Sequence, residues 1–509
     1  YTPDGSPIIG PAWDLKNFWL NEGHSFGITA AGGAGWQIAE WIVNGEPTID
    51  MMGVDPRRFG SYASEGYLKA KNEEAYSMVF TIHYPDEERP AGRPLKRSPC
   101  YDRMLEKGAV FGSTFGWERP NWFAPPGYGL SEAELAKPDT LLRENHPPAA
   151  PGEKVTEKWS FRRSNYFEFV GNECRHVHEK VGILDMSAFS KFMVEGHDSA
   201  SWLDSLLANR IPRKIGRIGL CHLLTSLGGV RSEFTVYRLA EDRFYLVSAG
   251  MLERHDWDYL TKALPVDGRV QLRKVTSQYG VLVVAGPNSR SLLQRLTDRD
   301  LSNEAFPWLS GQPVNIGAAD AHAIRVNFVG ELGWELHHPI ETQNYIFDRL
   351  FEAGEEFDLK PFGIRAMDSL RLEKSYRLIP RELSVEYAAL ESGLERFVSW
   401  DKDDFVGKAG LDAWRNRGFR WQFVTLEISG INDVDARGSE PIYDGAELIG
   451  RCTSGGYGWR VGKSLALGMV HPDRAGLGSQ WEVEILGERF SATVIPESPF
   501  DPQHQRLRG

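Results

Sequence analysis

Cysteine is scarce in this sequence: Cys100, Cys174, Cys221 and Cys452 are the only four among 509 residues, and they lie far apart. They form neither a C-x-x-C pair nor any zinc-ligand spacing, so they read as buried thiols in a reducing compartment. Long apolar runs are also missing. The longest strongly apolar stretch, Val281 to Ala285, is far short of the ~20 residues that span a bilayer. Basic residues are outnumbered 58 to 70 by acidic ones, giving a net charge of -12. That balance excludes a general nucleic-acid binder, which needs clustered cations to neutralise phosphates, but leaves room for a small anion in a local basic pocket. No G-x-G-x-x-G fingerprint or P-loop occurs, so a dinucleotide site cannot be assembled from the usual parts. No secretory leader is visible. His176 and His178, and the adjacent His337 and His338, lack a suitable third ligand, so no metal site is expected.

The hydrophobic fraction of 41% and charged fraction of 25% describe a globular protein, and the length predicts about three domains. Ile8-Ile9 and Phe18-Trp19-Leu20 predict strands. The run Gly27 to Gly35 predicts a glycine-rich turn feeding a mostly buried helix that carries Trp36, Ile38, Trp41, Ile42 and Val43 and stops at Gly45. Residues 56–116 read as a small connecting domain with a helix over Tyr67–Met78 and a proline-stiffened stretch from Pro85 to Pro99. Pro120, Pro125, Pro126, Pro138, Pro147, Pro148 and Pro151 predict a long wrapping loop over 117–158.

From about 159 the texture becomes regular. Asp198 is placed to cap a helix bearing Trp202, Leu203, Leu206 and Leu207. Strands are predicted at Phe234–Leu239, Phe244–Val247, Gly280–Ala285 and Ala323–Val329. Helices are predicted around Trp257–Leu264, after Pro287-Asn288, around Ile346–Phe351 and over Gly363–Glu373. Past about 420 the pattern is mostly β with Gly and Asp turns, which suits a small barrel.

Four segments carry chemistry. Glycines at Gly32-Gly33-Ala34-Gly35 would let backbone N–H groups approach an anion, or would merely permit close helix packing. Gly228-Gly229 makes a tight turn into a strand whose Glu233 can relay a proton or hold a cationic amine, unless it is a solvated surface charge. In Phe328-Val329-Gly330-Glu331-Leu332-Gly333-Trp334-Glu335-Leu336, an inward Glu335 would offer two acceptor oxygens and no donor; the plain alternative is a surface carboxylate in a hairpin. Asp368, Arg371 and Leu372 read as part of an amphipathic helix with weak surface ion pairs.

These segments together resemble the dimethylglycine and sarcosine dehydrogenase family over essentially the whole chain. TPDGSPIIGP, GHSFGITAAGGAGWQIAEWI and GEP in residues 1–50 resemble the C-terminal end of its flavin domain. The resemblance implies FAD contacts at Gly27, Ile28, Thr29, Gly32 and Gly33. The family's dinucleotide fingerprint and flavin attachment site lie upstream of this segment, so the chain, which starts at Tyr1, is expected to be a piece of a longer protein lacking the redox half. Gly228–Val236 resembles the strand of the glycine-cleavage T-protein that places an acid beside the folate N5 and N10 atoms, an acid matched by Glu233. The Phe328–Leu336 segment resembles the family's folate signature, with Phe328 at the usual tyrosine position and Glu335 as the pterin-binding acid. Met367 stands where the T-protein has arginine, which points to the dehydrogenase branch. Arg396 stands where some relatives place a folate-side tyrosine and would pair with the folate glutamate tail. Cys452–Gly455 and Leu467–Val470 match the family's barrel.

The resemblance implies an α+β fold: a multi-lobed, T-protein-like folate-binding module with a C-terminal β-barrel, preceded by a truncated flavin-domain remnant. It implies four parts, at 1–55 (flavin-domain remnant), 56–116 (central connecting domain), 117–400 (folate-binding domain) and 401–509 (barrel). It further implies Glu233 as the catalytic acid or base, folate contacts at Glu233, Thr235, Phe328, Glu335, Leu336 and Arg396, tetrahydrofolate as one-carbon acceptor, and FAD in the intact enzyme. The expected partners are an N-methylated glycine and folate, with an electron-transfer partner for the intact enzyme, no nucleic acid and no membrane insertion. A bacterial cytoplasm or a mitochondrial matrix would suit it. The alternatives are a stand-alone folate-dependent aminomethyltransferase or demethylase, and a non-catalytic folate-binding scaffold.

Overall fold

The computed structural model describes residues 1–13, 15–135 and 155–509. Two antiparallel sheets and a barrel build its body. One sheet has five strands in the spatial order Gln271–Lys274, Ser190–Glu195, Arg243–Ser248, Val230–Ala240 and Ile218–Leu224. The second has six, in the order Gly311–Ile316, Ala319–Ile324, Gly333–Pro339, Tyr279–Ala285, Gly182–Asp185 and Lys360–Pro361; only the last pairing is parallel. Six strands between Gln422 and Ile495 close the barrel around Leu426, Ile442, Ile449 and Val483. This is the expected α+β architecture with its C-terminal barrel. All four cysteines are buried free thiols. No helix among the described residues is long and apolar enough to cross a membrane.

Several local expectations give way to the packing. Gly27–Asn44 is one continuous helix, so Gly32, Gly33 and Gly35 lie within it and form no turn. Nor is the helix mostly buried. Ala34, Ile38 and Trp41 recur along one face and pack with Ile9 and Met51, whereas Ile28, Trp36 and Val43 are 98%, 65% and 82% exposed. Pro120 sits in the strand Trp117–Phe123, paired with Ala109–Thr114 across a register shift at Val110/Phe111. A two-stranded ribbon tolerates the missing N–H. Pro138, Pro147, Pro148 and Pro151 lie outside the described residues. That hairpin spans 109–123, and Cys100, Met104 and Ala109 join Trp334 and Leu336 in the core of the six-stranded sheet.

The strand foreseen to Val329 ends at Ile324, because Asn327 folds the next residues into a turn. Its Oδ1 accepts from Val329 N and Gly330 N, both at 3.1 Å, and its Nδ2 donates to the Glu331 carbonyl at 2.8 Å. Asp198 is the residue before the helix Ser199–Leu206, but its carboxylate pairs with Arg269 and makes no cap. The helix Ile364–Leu372 is no surface element. Arg371 is 1% exposed and reaches Asp368 at 2.7 Å, Ser454 Oγ of the barrel at 2.9 Å and the Tyr376 carbonyl at 3.0 Å.

Ionic contacts fasten the first hundred residues to the five-stranded sheet and to the helix Glu253–Lys262. Buried Arg57 bridges Asp55 at 2.6 Å and Asp258 at 3.1 Å. Glu46, just past the helix-ending Gly45, accepts from Ser226 N at 2.6 Å and from the Arg231 guanidinium at 2.5 Å. It thereby pins the start of the strand that carries Glu233.

Candidate folate site between two sheets

The Gly228-Gly229 turn is set by packing as well as by conformation. Gly228 has φ +87°, and a Cβ on Gly229 would stand 2.4 Å from the Val385 carbonyl oxygen. Only glycine lets the strand start this close to its neighbour. From there side chains alternate. Ser232, Phe234 and Val236 are buried on one face, while Glu233, Thr235 and Tyr237 share the other. Cross-strand partners extend that second face with His222, opposite Glu233, and with Tyr245, opposite Tyr237. Glu233 therefore projects from the body of the sheet, one strand in from its edge.

The six-stranded sheet answers with its own alternation. Glu335 and His337 share a face of Gly333–Pro339, whereas Trp334, Leu336 and His338 point the other way. Two side-chain contacts show that the faces oppose one another. Tyr245 OH lies 3.2 Å from His337 Nδ1, and Tyr237 OH lies 3.4 Å from His322 Nδ1. Glu233 and Glu335 thus lie on the facing surfaces of the two sheets. Leu336 is brought elsewhere: its side chain is fully buried in the core behind the strand.

Glu335 is buried, and burial pushes its carboxyl up to about 8. His337 Nε2 stands 3.1 Å from Glu335 Oε2, and burial drives that imidazole down to about 3, so it stays neutral. A neutral ring that accepts a hydrogen bond from the Tyr245 hydroxyl at Nδ1 has its N–H at Nε2, aimed at the Glu335 carboxyl. The sheet register, not the adjacency of His337 and His338, decides their roles, and among the described residues no cluster suits a metal.

Phe328 stands on the Asn327 turn with its ring 5.6 Å from that of Tyr376, tilted 33°. Burial raises the Tyr376 hydroxyl to about 12, with Arg460 and Arg396 countering. Arg396 is exposed and lays its guanidinium over Phe397 at 4.9 Å, and Phe397 meets the His222 ring edge-on at 5.5 Å. Arg396 is thereby linked through Phe397 to His222 and Glu233, and its charge also acts on Tyr376.

Arg460 anchors the Phe328 turn from the barrel side. It donates to the Val329 carbonyl at 3.0 Å, to Glu331 Oε1 at 3.0 Å and to the Leu370 carbonyl at 2.6 Å, and its Nε pairs with Glu373. Glu331 also accepts from Arg506 at 2.7 Å and meets His178 at 2.9 Å.

Tyr376, His222, His337, Tyr245 and Arg460 were not singled out from the sequence as site residues. Strand alternation from Glu335 would have reached His337; the others depend on tertiary register. The expected flavin contacts Gly27, Ile28, Thr29, Gly32 and Gly33 are spread over an exposed helix face, and a Cβ on Gly32 or Gly33 would meet nothing within 4 Å.

Comparison with known proteins fits this geometry. Residues 100–402 match the model of the GCVT N-terminal domain, 44–98 that of the FAD dependent oxidoreductase central domain, and 422–501 that of the glycine cleavage T-protein C-terminal barrel domain. The chain is 38% identical over 512 residues to mitochondrial dimethylglycine dehydrogenase of Mus musculus, covering 100% of this chain and 56% of that protein. It is 31% identical to mitochondrial sarcosine dehydrogenase of Homo sapiens, covering 100% and 58% respectively. The chain therefore spans a little over half the length of these relatives. Its fold matches the crystal structure of glycine cleavage system aminomethyltransferase T from Bartonella henselae with a TM-score of 0.65 at 22% identity, over 80% of this chain and 99% of that one. The chain belongs to the GCVT family, in the branch that includes the dimethylglycine and sarcosine dehydrogenases.

Proposed function

We propose that this chain is the folate-dependent part of a flavoenzyme that oxidatively demethylates dimethylglycine or sarcosine and passes the one-carbon unit to tetrahydrofolate, giving 5,10-methylenetetrahydrofolate. The observation that carries this reading is the placement of Glu233 and Glu335 on the facing surfaces of the two sheets. Glu335 accepts the pterin 2-amino and N3–H donors as a bidentate pair, and Phe328 with Tyr376 packs on the flat ligand. Thr235, half-buried beside Glu233 on the same face, adds a hydroxyl, and Arg396 on the rim receives the anionic tail. Glu233 serves the amines. When formaldehyde is the captured unit, each new N–C bond frees one proton, and the two protons leave with the carbonyl oxygen as water. Glu233 takes a proton from the attacking amine and returns it to the departing oxygen.

Glu335→Ala is expected to weaken tetrahydrofolate binding at least about tenfold, the scale of a lost charged hydrogen-bond pair. Calorimetry reads it, and an unchanged affinity refutes the assignment.

The raised Glu335 carboxyl adds a pH signature. In the ligand-free protein it keeps its proton below about pH 8, yet two ligand donors require the carboxylate. Binding must then expel a proton, so affinity should rise by roughly tenfold per pH unit up to about pH 8 and level off above it. Titrations in buffers of different ionisation heat would count the proton released, and a flat profile with no release would contradict the coupling.

A further inference from the structure

Glu233 has a partner that the folate reading does not use. His222 lies directly across the ladder from it, and its Nε2 stands 2.9 Å from Glu233 Oε2. The two differ sharply in setting: the His222 side chain is 2% exposed and that of Glu233 27%. The imidazole is therefore held inside the sheet while the carboxylate reaches the cleft. The Phe397 ring, edge-on at 5.5 Å, closes over the imidazole from the Glu395–Phe397 turn. A buried ring wedged between a β-ladder and an aromatic side chain has little rotational freedom, so the direction of its Nε2 is set before any ligand arrives.

We propose that His222 is a positioning residue for the folate reaction: by donating Nε2–H to Oε2, it fixes the Glu233 rotamer and reserves Oε1 for the folate amine. The inference rests on the reading of Glu233 given above and deepens it. A carboxylate on a flexible two-carbon stem samples several rotamers, and a fixed donor on one oxygen selects among them at little cost on binding. The donor also leaves the second oxygen's lone pairs free to accept the amine proton.

The test uses three single replacements and two double replacements in the full chain, read by tetrahydrofolate-dependent capture of labelled formaldehyde above the uncatalysed rate, and by calorimetric binding. His222→Leu removes the donor and should lower kcat by about 10- to 100-fold, the scale of a lost hydrogen bond to a charged group, while KM and calorimetric affinity for tetrahydrofolate stay within about threefold. His222→Gln keeps an N–H donor at similar reach and should recover most of the loss. In a Glu233→Gln background, adding His222→Leu should cause no further loss, because the residue acts through Glu233. The same full loss in both backgrounds, or equal losses in His222→Leu and His222→Gln, would mark a merely structural role and overturn this inference while leaving the Glu233 assignment intact. An unaffected Glu233→Gln single variant would overturn both. Should His222→Leu not fold, the His222→Gln rate and its coupling to Glu233→Gln still decide: a large loss that adds to that of Glu233→Gln overturns the inference, and near-full activity supports it.

Discussion

Glu233→Gln should lower tetrahydrofolate-dependent formaldehyde capture by about 100- to 10,000-fold, the usual range for removing a positioned acid or base. The amide has the same shape and size and still offers His222 an acceptor oxygen, so the local fold is retained. What it loses is the ability to take a proton from an attacking amine and return it to the departing oxygen. Since the proposed reading assigns the pterin to Glu335 and the Phe328–Tyr376 pair, affinity for tetrahydrofolate should change by no more than about threefold. A fall in kcat with little change in binding identifies an interaction made in the transition state, whereas equal losses in affinity and in kcat/KM would reassign Glu233 to binding.

Arg460→Met should destabilise the chain by roughly 3–5 kcal/mol, the range for removing one partner from a buried ion pair. Arg460 is the cation shared by Glu331 and Glu373, and both carboxylates are about 1% exposed or less. Methionine fills a similar volume and still packs near Phe500, over which the guanidinium lies at 3.8 Å, so the deficit is electrostatic. Glu331 keeps Arg506 and His178, but Glu373 is left with the backbone N–H groups of residues 460 and 461. Because the same guanidinium holds the Val329 carbonyl, the Phe328 turn should loosen too, and tetrahydrofolate affinity should fall with stability. Denaturant unfolding measures the first effect. A loss below about 1 kcal/mol would show that the remaining partners suffice.

The architecture was largely legible because runs and breakers report it. A polar turn between two runs marked the strands around Phe234 and Phe244, a continuous apolar run marked the one from Gly280, and the breaker-separated β-runs after 420 announced the barrel. Misreadings arose where tertiary context outweighed local propensity. Glycines at 32, 33 and 35 suggested a turn, yet the helix runs through them, anchored by Trp41 nine-tenths or more buried. Pro120 suggested a loop but occupies a ribbon strand whose register shift accommodates it. Arg371 read as a surface cation, because nothing local reveals that the barrel's Ser454 and the Tyr376 carbonyl close over it.

Within the candidate site, the two acids could be named from the resemblance to the family's motifs, whereas residue chemistry alone left each open to reading as a surface carboxylate. That the two sheet faces oppose one another could not be read locally. It depends on Tyr245 meeting His337 and Tyr237 meeting His322, contacts between residues 92 and 85 positions apart. The perturbed carboxyl of Glu335 has the same origin: its burial is made by the opposing sheet, not by its own strand. Leu336 shows the converse, since a motif includes it but the pleat turns its side chain away from the cleft.

A calorimetric titration of tetrahydrofolate into the full chain tests the central claim most directly, performed near pH 8 on the unaltered protein and on a variant lacking both Glu335 and Phe328. The account predicts saturation at one molecule per chain for the unaltered protein and loss of that saturation in the variant. No saturable heat in the first, or saturation that survives in the second, would contradict a folate site between the two sheets.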